Sequence, residues 1–294
     1  MPETVDGVPL WLLKITVLAL GAAFGSFANV LVHRVPLGQS IVRPASRCPC
    51  CGASIRWHDN VPILGWIWLG GKCRDCRAAI SIRYPLVELV MAVLSLACLY
   101  LAVMRSGGMA DVAGLAPLWA FPFAFCFLLV TLTFIDLQHW RIPHVFTVTG
   151  AAIGLASALL ISTFSGVDWK DSLIGLVVGA LPVVIIIEVY FRLTRREGMG
   201  YGDVMLLGMI GATLGVQSLP FVFLASSVQG LLVAVPMVLI ARRSPQPPWE
   251  ADQDPSQPHA SGLRHAAVPF GPFLSVAAMQ WLFFQDLLAP WFIP

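Results

Sequence analysis

Apolar residues follow one another for about 20 positions at a time along most of this chain, the length a helix needs to cross a hydrocarbon core of about 30 Å. Runs of this kind occupy residues 10–32, 85–104, 116–136, 145–165 and 172–191. Residues 203–241 form one apolar stretch too long for a single crossing, and the break Gln217-Ser218-Leu219-Pro220 divides it into two helices joined by a tight turn. A last run covers residues 269–288. The pattern predicts an all-α polytopic membrane protein with about eight transmembrane helices.

Polar positions gather between the first two runs, where residues 33–84 make an insert of about 50 residues. The chain therefore divides into an N-terminal part, residues 1–105, carrying this insert, and a bundle of six helices with short connections over residues 116–290. The segment from Pro245-Gln246-Pro247-Pro248 to Pro258 lacks the apolar residues needed for a core and reads as a flexible linker.

Composition agrees with the pattern. Of 294 residues, 57% are hydrophobic and only 12% charged, and the mean hydropathy is +0.80, which excludes a soluble domain with a charged surface. Membrane lipid is the expected surrounding, and no acidic or basic tail points to a nucleic-acid partner. The net charge of +2 says less than its distribution. All but Lys14, Arg105 and Lys170 of the 18 basic residues fall in the loops at 33–84, 137–144, 192–202 and 242–268. The positive-inside rule makes those four loops cytoplasmic and both termini external. The first run lacks a small-residue cleavage site and reads as a retained helix.

Within the insert, Cys48-Pro-Cys-Cys51 and Cys73-Arg-Asp-Cys76 form two C-x2-C pairs at zinc-ribbon spacing. Cytoplasmic thiols stay reduced, which disfavours disulfides. Pairing Cys48 with Cys50 would leave one residue between ligands, so Cys48, Cys51, Cys73 and Cys76 are the expected ligand set. Four thiolates leave no open coordination position and imply a structural zinc. Cys98 and Cys126, inside apolar runs, read as small packing residues.

Ionisable groups within or at the edge of spans are functional candidates. Asp136 lies at the cytoplasmic end of the third span and Asp203 at the cytoplasmic start of the sixth, so the topology read from the arginines puts both at one depth on one face. A two-aspartate protease needs that arrangement, because two carboxylates sharing a site hold one proton between them and act as a base and acid pair. Gly200 and Gly202, ahead of Asp203, allow backbone to approach a substrate and the helix to break at the membrane edge. Either aspartate alone also reads as a cap or a solvated residue. Glu88, near the start of the second span, is a candidate for a supporting or substrate-binding role, the alternative being a carboxylate that faces water or accepts from a nearby Arg or Tyr. Glu188, inside an apolar run, is expected to be paired in the bundle interior and has no assigned role.

In chain order, Gly25-Ser-Phe-Ala-Asn29 with Arg34 and Pro36, the four cysteines, Asn60-Val-Pro62, Gly71-Lys-Cys-Arg74, Arg83-Tyr-Pro-Leu-Val-Glu88, Asp136, Ile142-Pro143, Gly198 to Asp203 and Val268-Pro-Phe-Gly-Pro272 resemble the bacterial type IV prepilin leader peptidases, related through the GxGD motif to archaeal preflagellin peptidases. The ordered set covers nearly the whole chain. The resemblance implies a bacterial inner-membrane endopeptidase, its active site facing the cytoplasm. It would cleave a basic leader from prepilins and pseudopilins after glycine, with Asp136 and Asp203 as its catalytic pair. It also implies that members with the cysteine insert methylate the new N-terminal amine, commonly of phenylalanine, with S-adenosylmethionine. Two positions depart from the family pattern: Met205 stands where lysine is usual, and His144 where Asp or Asn follows the Ile-Pro pair. No glycine-rich loop after a strand marks a cofactor site in the insert.

Other classes fit less well. A transporter would place its carboxylates near the midplane in paired repeats with broken helices, and neither is evident. A zinc-bearing scaffold leaves the aspartates unexplained, and a presenilin-like protease usually has Tyr where Ile135 precedes the first aspartate.

Overall fold

The computed structural model describes residues 4–107, 111–162, 166–194, 200–243 and 268–292. The expected linker at 245–258, Gly198, Arg195, Arg196 and Arg264 lie outside the described residues. A two-stranded hairpin, β1 (Thr4–Val5) and β2 (Val8–Pro9), turns through Asp6 and Gly7, both at positive φ, and leads into α1 (Leu10–Arg34). The insert holds a 3-10 turn (Trp57–Asn60) and the short α2 (Leu64–Trp68). Then come α3 (Arg83–Arg105), α4 (Val112–His139), α5 (His144–Leu160), α6 (Trp169–Thr194), α7 (Tyr201–Leu214), α8 (Leu219–Arg243) and α9 (Gly271–Phe292).

Eight helices thus stand where the eight apolar runs predict them. Five stretches, Leu10–Arg34, Arg83–Arg105, Val112–His139, Trp169–Thr194 and Val216–Leu239, are long and apolar enough to cross a bilayer. The α5 and α7 helices are shorter, at 17 and 14 residues. A helix of α7's length rises only about 21 Å. The break expected before Pro220 is present: α7 ends at Leu214, Gly215 takes φ 79°, and a 3-10 turn over Val216–Ser218 precedes α8. Pro220 fits there because the first turn of a helix asks no backbone donor of it.

Packing follows the rules of helices in lipid, where small residues and hydroxyls replace the hydrophobic drive. Gly21 and Gly25 bring α1 against α3, and Gly175 and Gly211 bring α6 against α7. Ser95 Oγ donates to the Val17 carbonyl and Ser172 Oγ to the Ala212 carbonyl, both at 2.6 Å. One buried core runs through Leu31 and Val32 of α1, Met91 of α3, Leu129 and Leu132 of α4, Ile210 of α7 and Trp281 of α9, so α1 and α3 pack into the same core as the later helices. Cys98 and Cys126 are fully buried in it. In α6 and in the Val216–Leu239 stretch only 22% and 11% of the apolar windows are buried, so most of these side chains lie on the outside of the bundle.

Glu188 differs from expectation. It is not in the bundle interior: its side chain is 46% exposed and bonds Arg192 Nε, one turn on, at 2.8 Å. The i,i+4 spacing lets a neighbour on the same helix satisfy a charge that the bundle need not enclose.

Candidate functional site

The first aspartate is set by the end of α4. Asp136 lies in the last turn and is buried. The helix stops at Trp140, which takes φ 54° and donates its N–H to the Asp136 carbonyl at 2.9 Å. The short link Arg141–Pro143 then enters α5, with Pro143 extended before its first turn and His144 exposed at its start.

The second aspartate is set by the start of α7. Gly200 is extended ahead of the helix (φ −77°, ψ 142°), and Asp203 sits half-buried in the first turn. Ile142 is the wedge between the parts. A Cβ on Gly202 would lie 2.8 Å from Ile142 Cβ, and one on Gly271 would lie 3.1 Å from Ile142 Cδ1 and 2.6 Å from Asp136 Oδ2. No side chain fits at either glycine without displacing a neighbour. A Cβ on Gly200, by contrast, would meet nothing closer than the Gly202 nitrogen at 3.9 Å. The Gly271 N–H faces the Asp136 carboxylate, and the charge of Asp136 acts on Asp203. The link before α5, the GxGD segment and the start of α9 therefore converge on two interacting carboxylates. Such a pair can activate water with one member and protonate a carbonyl oxygen or leaving amine with the other.

A second cluster lies in the insert. Residues 47–54 and 72–79 form two matching turns, each closed by an isolated bridge, Arg47 to Ser54 and Lys72 to Ala79. The N–H groups of Cys48 and Cys73 donate to Ala53 and Ala78 at 2.9 and 2.8 Å, and the left-handed residue is Gly52 in one turn and Arg77 in the other. The Sγ atoms of Cys48, Cys51, Cys73 and Cys76 all lie within 4.8 Å of one another, with Cys48 and Cys76 at 3.7 Å. Sulfurs about 3.8 Å apart are what a tetrahedral ion with metal–sulfur bonds near 2.3 Å requires. The backbone N–H groups of Cys51 and Cys50 hold the Cys48 thiol down at about 6, so it is presented as thiolate. Cys50 is exposed and outside the four. The turns are braced by Arg74, whose guanidinium grips Asp59 through two bonds of 2.8 and 2.5 Å and holds that carboxyl below the usual range.

Glu88 stands apart from the aspartates. It is buried against α1, where a Cβ on Gly25 would lie 2.5 Å from Glu88 Cα, and it accepts the Ile63 N–H at 2.6 Å. It lines a cleft of 370 Å³ between α1, α3 and the insert, along with Ser26, Asn29, Asp59, Trp66 and Tyr84.

Comparison with known proteins agrees with this geometry. Residues 19–102 match the bacterial peptidase A24 N-terminal domain, and residues 123–235 match the type IV leader peptidase family. A Myxococcus xanthus protein named prepilin leader peptidase/N-methyltransferase is 35% identical, over 95% of this chain and 91% of its own length. The chain belongs to the type IV leader peptidase family. Proteins of the same printed name from Aeromonas hydrophila and Pseudomonas aeruginosa are each 33% identical, covering 99% and 95% of this chain and 97% and 92% of their own. No solved structure matches it.

Sequence reasoning named the stretches of this family member that hold Ile142, Gly271 and Asn29 but gave those residues no role. Their signal was only membership in an ordered set of motifs, since contacts between segments 55 or more positions apart leave no local pattern. Two outcomes follow from the geometry. Gly271→Val should push the Asp136 carboxylate aside and lower peptide cleavage by about 100-fold with the protein still inserted, measured by steady-state cleavage in detergent. Metal analysis should find about one ion per chain, lost in the Cys73→Ser, Cys76→Ser double variant and kept in Cys50→Ser.

Proposed function

We propose that the chain is a membrane aspartyl endopeptidase that removes the leader from type IV prepilins and pseudopilins at Asp136 and Asp203, and then methylates the exposed N-terminal amine. The observation that carries the first step is the meeting of two interacting carboxylates from the ends of α4 and α7, walled by glycine backbone at Gly202 and Gly271. One carboxylate takes the proton of the attacking water while the other protonates the scissile carbonyl, and the roles reverse as the amine leaves. A basic leader held in the cytoplasm and an apolar stem held in the bilayer bring the scissile bond to the membrane edge, the position given to both aspartates by the basic loops. The chain works in the bacterial inner membrane with this site toward the cytoplasm.

Zinc suits the four-thiolate cluster, where a closed coordination shell gives the insert the folding energy that its small core cannot. The methyl donor suited to the second step is S-adenosylmethionine, which supplies a sulfonium-borne methyl group when bound. The 370 Å³ cleft beneath the insert falls in the size range of small-molecule sites and carries acceptor groups that fit a cationic ligand. We assign peptide cleavage to residues 116–290 and methyl transfer to residues 1–105 with the insert.

Asp136→Asn and Asp203→Asn should each lower leader removal by at least about 100-fold without loss of folding or insertion, because an amide neither takes nor shares the proton. Mass measurement of a prepilin incubated with each purified variant reads this directly, and substantial cleavage by a folded variant would remove that residue from the pair. A Cys48→Ser, Cys51→Ser variant should lose methylation before cleavage. Cleavage that vanished while a pre-cleaved pilin was still methylated would reverse this division of labour.

A further inference from the structure

The cleft between α1, α3 and the insert has an unusual floor. Asn29 is 3% exposed and Glu88 8% exposed, and both line the cleft. The Asn29 amide is fixed in orientation, because its Nδ2 donates to two carbonyls, those of Gly25 and Tyr84, each at 3.2 Å. Its Oδ1 is left buried with no hydrogen-bond partner. A buried acceptor without a donor is costly and calls for a partner, an ordered water or a ligand. Tyr84 lies one turn before Glu88 on α3, and Gly25 abuts the Glu88 backbone, so the orphan oxygen and the carboxylate belong to one corner.

Glu88 has a donor but no cation. Ile63 N–H serves it, and no ion pair reaches it among the described residues. The other acidic side chains of the cleft are engaged: Asp59 by Arg74, and Asp75 by Arg56 at 3.6 Å. Arg34 is also occupied, by the carbonyls of Ser40 and Pro44 at 3.0 and 2.8 Å. Asn29 and Glu88 are therefore acceptors with spare capacity in one corner, one of them a carboxylate, in a cleft whose wider lining also carries His33, Arg34 and Arg47. The chemical complement is a group with several N–H donors and a positive charge.

We propose that this cleft is the methyl-transfer site and that Glu88 and Asn29 bind an aliphatic ammonium group there. This rests on the reading of the chain as a methyltransferase and locates that activity. The ammonium is the N-terminal amine of the cleaved substrate or the amino-acid end of the methyl donor. At the substrate amine the pair has a second task. An ammonium has no lone pair, so it must lose a proton before it can be methylated, and the Glu88 carboxylate takes that proton. The amine lone pair then forms the N–CH3 bond as the C–S bond breaks, its electrons staying on sulfur to give a neutral thioether.

Glu88→Gln tests this with the full-length protein. The amide oxygen still accepts from Ile63 N–H, so the variant keeps the anchor of the insert while losing the charge. Calorimetry would measure binding of S-adenosylhomocysteine, of a peptide with a free N-terminal phenylalanine, and of the same peptide N-acetylated. Methylated and cleaved prepilin would be weighed in parallel, with metal content and thermal melting as folding controls. The expected result is a fall of at least about tenfold in affinity for one amine-bearing probe, from loss of a charge-assisted hydrogen bond, with no change for the acetylated peptide. The ratio of methylated to cleaved product should fall at least as far. Loss of peptide binding identifies the substrate amine as the ligand, and loss of S-adenosylhomocysteine binding identifies the donor. If Glu88→Gln loses its metal or its melting transition, Asn29→Ala gives the same reading, because it removes the orphan acceptor away from the Ile63 anchor. Wild-type affinities and methylation in a folded variant would overturn the assignment. A wild-type protein that neither binds S-adenosylhomocysteine nor methylates would instead overturn the methyltransferase reading on which it rests.

Discussion

A carboxylate at the edge of a bilayer is tolerable only where protein, not hydrocarbon, surrounds it. That constraint organises the bundle. Asp136 lies in the last turn of a 28-residue helix and must be covered there, and the cover is the start of α9 at Gly271 with Ile142 beside it. Glycine is the residue that leaves room for the oxygen, and the Gly271 N–H faces it. The short α7 follows from the same need. By starting at Tyr201, behind an extended Gly200, it brings Asp203 within reach of the Asp136 charge. Gly211 packed on Gly175 then holds α7 against α6.

The second buried carboxylate obeys the same rule with different partners. Glu88 is enclosed where α1 and α3 approach through Gly25, and its bond from Ile63 ties the insert to the membrane helices. The insert has little core of its own. Trp57, Ile67 and Trp68 are exposed, at 85%, 58% and 67%, so burial of large side chains does not hold it together. Its order comes from the two cysteine turns, the Arg74–Asp59 clamp and the bond from Trp66 to the Ile80 carbonyl. A metal at the four cysteines would supply folding energy that so small a core does not.

The two family segments meet in one core. Leu31, Val32 and Met91 pack in the same cluster as Leu129, Ile210 and Trp281, and the rings of Phe24 and Phe127 lie 5.4 Å apart. The α1–α3 pair therefore buttresses α4, the helix that carries Asp136. Changes in the cysteine turns and changes in the α1–α3 pair therefore act on different parts of the molecule. The first alters how the insert is rooted, and the second alters the packing of α4 itself.

The eight helices were legible in the sequence because a lipid-facing helix must be apolar along a fixed length, and that demand is written locally. The cysteine turns were legible for a similar reason, since two C-x2-C pairs carry their own geometry. Asp-Gly at positions 6 and 7 held an equally local signal for the hairpin, which reading for long apolar runs passed over. Asp136 and Asp203 stood out as charges at the ends of apolar runs. Only the tertiary structure decided what covers them, because the contacts of Ile142 with Gly202 and Gly271 join segments that no local pattern connects. It also decided that Glu188 is paired along its own exposed helix face, and that Glu88 shares a cleft with an unsatisfied Asn29 oxygen. Hydropathy records how deep a residue lies in the membrane; which polar groups meet at that depth depends on how the helices rotate and pack, and that is settled by steric fit across the whole bundle.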